Sequence, residues 1–117
     1  MPDDRVARLV GRFAAAARAH NAALEAFDEE RTDAHARIIA GLYAALVREG
    51  KSGREGLLAL IDDSDPAVAG MAAVYSLSYY SQPCLEVLRR LAAEGGFLGF
   101  RASVVLERWE AGEREGP

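Results

Sequence analysis

Gly50-Lys51-Ser52 is the chain's nearest approach to a phosphate-binding loop. Such a loop needs a glycine five residues before Gly50, where Ala45 stands, and a preceding strand, where the sequence reads as helix. We expect no phosphate site there. His20 and His35, the two histidines, stand in no Glu-x-x-His or His-x-x-x-His spacing, so a helix would not present them as paired metal ligands. Folded back on each other near Glu30 and Arg31, the flanking helices would hold the two histidines several turns apart. Cys84, the single cysteine, follows Pro83 in what reads as a first helical turn, where a helix dipole favours thiolate. No histidine is near in sequence to activate it, and a small buried thiol is the expected role. No catalytic residue, metal ligand or cofactor site is expected.

Two groups of residues could instead serve binding. Glu25, Asp28, Glu29, Glu30 and Asp33 place five acids within nine residues, offset by Arg31 alone. Such a run is ordinarily solvated, and its functional alternative is a landing site that speeds encounter with a basic partner. Met71, Tyr75 and Tyr79 recur at helical spacing, and tyrosine offers a broad apolar contact with a hydroxyl at its tip. That row is expected either to lie under neighbouring helices or to meet a partner or a second copy of the chain. Arg5, Arg8 and Arg12 read as a solvated flank of the first helix.

These residues need helices to position them. Pro66 to Leu85 runs twenty residues without a charge in a chain that is 27% charged. Asp65-Pro66 reads as an N-cap followed by proline at the first helical position, and helix should continue to about Tyr80 before Ser81-Gln82-Pro83. A helix with no polar face is covered on most sides or awaits a partner, and it is too short to span a membrane. Upstream, a first helix from Asp3 or Asp4 to about Asp28 carries a seam of Val6, Val10, Phe13, Ala17, His20, Leu24 and Phe27. A connection through residues 28–33 leads to a second helix near 33–49, ended by Gly50. Ser52 should cap a short third helix, Pro83 should start a fifth, and Gly95-Gly96 should precede the last.

A shift of thirty-one residues lays Leu57 on Leu88, Leu60 on Leu91 and Val74 on Val105. Tandem helical pairs of this kind mark an α-solenoid fragment. The expected fold is all-α, with about six helices in three antiparallel hairpins. The expected organisation is one domain over 1–117, with a hairpin at 3–50, repeats at 52–80 and 83–112, and a tail at 113–117. The expected core includes Leu57, Leu60, Ala72, Leu77, Leu88, Leu91 and Val105.

The run Leu57 to Val68, followed by Ala72-Ala73 and Leu77, resembles a HEAT-type repeat, except that Ala69 stands where arginine is usual. Gly99-Phe100-Arg101-Ala102 with Leu106-Glu107-Arg108-Trp109 resembles the end of a small bacterial family, domain of unknown function twenty-nineteen. The resemblance implies a non-enzymatic interaction domain, some of whose relatives look like immunity partners of bacterial toxins.

Hydrophobic content of 50% with four prolines argues for a folded chain, and a net charge of −4 disfavours a general nucleic-acid binder. The start carries acids where a signal peptide would be basic, so the expected location is cytoplasmic. The expected function is a non-catalytic protein-binding domain, an inhibitor or immunity-type partner of a basic bacterial protein. Contact would use Met71, Tyr75 and Tyr79 or the acidic cluster, with a homodimer through the Tyr75/Tyr79 face as a further possibility. The alternative is a small-molecule or nucleic-acid binder with a pocket of Tyr75, Tyr79, Tyr80 and Trp109.

Overall fold

Apolar residues spaced by threes and fours give helices throughout the computed structural model, which describes residues 4–112. Among those residues there are six α-helices, one 3-10 turn and no strand. The helices are α1 (Asp4–Glu25), α2 (Glu29–Arg48), α3 (Lys51–Ala59), α4 (Pro66–Ser76), α5 (Ser81–Glu94) and α6 (Gly96–Glu110), with the 3-10 turn at Leu60–Asp62. The chain divides into two compact units, one ending at Ala59 and one beginning at Leu60. This boundary falls inside the stretch 52–80 expected as one repeat.

In the first unit, α1 packs along α2, and α3 packs on both. Phe13, Ile39 and Leu46 are fully buried there. Ala14, Ala16 and Ala17 are buried around Phe13 and bring little bulk to the seam. Arg5 Nε donates to Glu49 Oε2 at 2.8 Å, which sets the start of α1 beside the end of α2, so the two helices run in opposite directions. Gly50 takes φ +74 after α2, as its place beyond the last turn requires. α3 begins immediately, so Ser52 lies inside the helix instead of capping it. Gly53 lies directly against the Leu46 carbonyl and Gly56 against the methyls of Val6 and Val10, so side chains at either position would hold α3 away.

The second unit closes around α4, which packs on the 3-10 turn, α5 and α6. Asp65 accepts from the Ala67 N–H at 2.9 Å and Pro66 opens the helix, as the sequence indicates. The Asp65 N–H in turn donates to Asp63 Oδ1 at 2.8 Å. Val68, Ala72 and Ala73 are fully enclosed. α4 stops at Ser76, four residues before the expected end, where the N–H groups of Tyr79 and Tyr80 both donate to the Ser76 carbonyl. The Ser81 hydroxyl donates to the Leu77 carbonyl at 3.1 Å, and α5 starts at Ser81, ahead of Pro83. Proline is tolerated there because first-turn N–H groups have no intrahelical partner. Gly95 and Gly96 both take positive φ between α5 and α6. Of the expected core, Leu57, Ala72, Leu77, Leu88 and Leu91 are buried, whereas Leu60 and Val105 are only partly so.

Candidate functional site

The connection between α1 and α2 differs most from the sequence expectation. α1 ends at Glu25 and α2 already begins at Glu29, so the acidic stretch is largely helix and not a loop. Asp28 explains the early start. Its carboxylate accepts from the Arg31 N–H at 3.0 Å, and its carbonyl accepts from the Thr32 hydroxyl at 2.8 Å. Glu29 and Glu30 then occupy the first turn of α2, where the helix dipole favours anions.

Phe27 sits between the two helices with φ +56, the one positive φ at a non-glycine position among the described residues. The Asp28 N–H donates to the Ala23 carbonyl at 2.9 Å, and the Phe27 N–H donates to the Leu24 carbonyl at 3.1 Å. This pair of bonds is a Schellman motif with Phe27 at the position that glycine favours. Phe27 is 92% exposed. Phe27 therefore does not belong to the α1 seam, where its spacing from Leu24 had placed it. Glu25, Glu29, Glu30 and Asp33 are exposed and Asp28 is partly buried, and all five acids lie at the α1–α2 connection or in the turns next to it.

The row on α4 is divided. Met71 is partly buried, and it lines a cleft of about 270 Å³ between α4, α5 and α6. Tyr75 is also partly buried, and burial raises its hydroxyl pKa. Tyr79 lies beyond the end of α4 and is 45% exposed. The three residues thus do not form one continuous helical face, because the helix stops before the third. None of Tyr75, Tyr79, Tyr80 and Trp109 lines the cleft, whose described walls are apolar apart from Arg101.

His20 is buried on α1 and His35 partly buried on α2. Among the described residues no group of three His, Cys, Asp or Glu could hold a metal ion. Cys84 is fully enclosed, and burial pushes its thiol up to about 11, which overrides the dipole of the first turn of α5. Among the described residues no helix is long and apolar enough to cross a membrane. Arg5, Arg8 and Arg12 are all exposed, as a solvated flank should be.

The chain matches no family model, no curated protein and no solved structure.

Phe27 and the aliphatic cleft are the two features that sequence reasoning missed. The first had a readable signal: Asp28-Glu29-Glu30 is an N-cap with an acidic first turn, which sets Phe27 between two helices. The cleft had none, because its walls come from three helices whose packing no single segment encodes.

Proposed function

We propose that the chain is a non-catalytic binding protein whose contact is the acidic α1–α2 connection centred on Phe27, and whose partner is a basic protein of the kind held by inhibitors and immunity proteins. The observation that carries this reading is Phe27 itself, 92% exposed in a left-handed conformation. Glycine there would remove both the strain and the exposed apolar surface. An exposed apolar side chain at a strained position supports a contact role for it. Its acidic surround supports a basic partner, since complementary charge steers encounter while an aromatic anchor supplies affinity.

Wild-type, Phe27→Ser and Glu29→Gln/Glu30→Gln chains, each verified as folded by circular dichroism, serve as baits for proteins of the native host. The reading expects a basic protein held by the wild type, lost from Phe27→Ser, and held less well by the double variant or at raised salt. Identical captures by all three baits would end it.

A further inference from the structure

We infer that the cleft of the second unit is a binding site for a medium-chain carboxylate, with the hydrocarbon chain between α4, α5 and α6 and the carboxylate on the guanidinium of Arg101. The inference is independent of the acidic connection, which belongs to the first unit.

The cleft exists because its walls are short. α4 contributes Ala67 and Gly70, and α6 contributes Ala102, positions too small to fill the space in front of Leu88 and Leu91. A Cβ at Gly70 would come within 3.2 Å of Leu91 Cδ1, so any larger side chain there points into the cleft. Met71, Val74, Val104 and Val105 complete an aliphatic surround. At roughly 30 Å³ for a water-sized group, about 270 Å³ holds about nine such groups. A chain of about eight carbons, with a headgroup at the rim, fits that space.

Arg101 selects the headgroup. Among the described residues it is the one charged member of the lining, and it is partly buried. Its guanidinium lies 5.9 Å from the centre of the Phe97 ring, on the preceding turn of α6. Among the described residues no carboxylate lies within ion-pair reach of it. Burial disfavours its charged form and lowers its pKa, a cost that a bound anion would offset. A guanidinium pairs with a carboxylate through two parallel hydrogen bonds, and the Phe97 ring 5.9 Å away adds a cation–π attraction that favours the charged form. An uncharged apolar ligand would leave that cation without a counter-charge in an apolar wall, and a cationic ligand would be repelled.

Calorimetric titration of the full chain with octanoate, 1-octanol and acetate tests the assignment. Saturable 1:1 binding of octanoate is expected, with octanol at least ten-fold weaker and acetate giving no heat. Arg101→Met keeps the aliphatic stem and should reduce octanoate to the level of octanol, whereas Arg101→Lys should stay within a few-fold of wild type. Gly70→Val should remove binding in a chain that circular dichroism shows to be folded. Equal affinity for octanoate and octanol would point to a purely apolar occupant, such as a partner's side chain, and would overturn the inference. So would an undiminished Arg101→Met, the absence of octanoate binding by the folded wild type, or a dimer in sedimentation that stays closed to octanoate.

Discussion

Arg5 and Glu49, forty-four positions apart, meet at 2.8 Å and join the first turn of α1 to the residue that caps α2. The contact marks the direction of the pair more than it holds it together. The Arg5 side chain is 58% exposed, so solvent and salt screen the attraction. Arg5→Ala should cost less than about 1 kcal/mol, read from urea unfolding midpoints. A much larger loss would mean that the arginine stem packs on α2 as well.

Phe27 is the reverse case, a residue whose removal should help the fold. Phe27→Gly relieves a left-handed phenylalanine and should raise stability by about 1 kcal/mol, because the ring contributes almost no burial. The same variant should bind the basic partner more weakly. Urea unfolding decides the first half, and a loss of stability would show that the ring is packed and not presented.

These two sites show what the sequence could and could not convey. Helix number was legible because apolar spacing and end signals such as Asp65-Pro66 and Gly50 act within a few residues. The start of α2 at Glu29 was misplaced because a run of acids reads equally as a loop and as a first turn, and the Asp28 bond to the Arg31 N–H decides between them. Tyr79 was set in register with Met71 and Tyr75 on the assumption of continuous helix, which the turn at Ser76 breaks. Leu60 and Val105 carry the same apolar character as Leu57 and Leu91 and yet are less buried. Their exposure depends on which helix lies opposite, and spacing along one helix carries no information about that.

Glycine substitutions in helices should divide by space and not by propensity. Gly41 on α2 is exposed, and a Cβ there would meet nothing within 4 Å, so Gly41→Ala should stabilise by about 0.5–1 kcal/mol. Gly99 on α6 is buried, with a Cβ position only 2.7 Å from the Leu91 backbone carbonyl. Gly99→Ala must push α6 away from α5 and should destabilise by about 1–3 kcal/mol. Thermal melts of the two variants should move in opposite directions. A shared direction would mean that helix propensity, not the α5–α6 approach, governs both.

Cys84 gives the second unit a pH dependence with a definite sign. Burial moves its thiol from 9.0 to about 11, so between these values the unfolded chain releases a proton that the folded chain keeps. The stabilisation is complete below pH 9 and is lost as pH rises through 9 to about 11, by an amount on the order of 1–3 kcal/mol. Tyr75, also raised by burial, adds a loss of the same sign at higher pH. Urea midpoints of wild type and Cys84→Ala across this range should converge as pH rises. Parallel curves would mean that the thiol is open to solvent, as would alkylation by iodoacetamide in the folded state.

The residues of α4 and its exit turn should rank by how far each is enclosed. Leu77, 7% exposed, closes the end of the helix, and Leu77→Ala should cost about 2–5 kcal/mol as a large-to-small core change. Tyr75 is partly buried, and the raised pKa of its hydroxyl reflects lost hydration, so an aspartate there would carry a charge into the same desolvated surroundings. Tyr75→Asp should therefore destabilise the chain about as badly as Leu77→Ala. Tyr79, 45% exposed and past the helix end, should lose less than about 1 kcal/mol on replacement by alanine. Thermal unfolding of the three variants gives the order directly. If Tyr75→Asp melts like wild type, Tyr75 faces open water and is free to meet a partner.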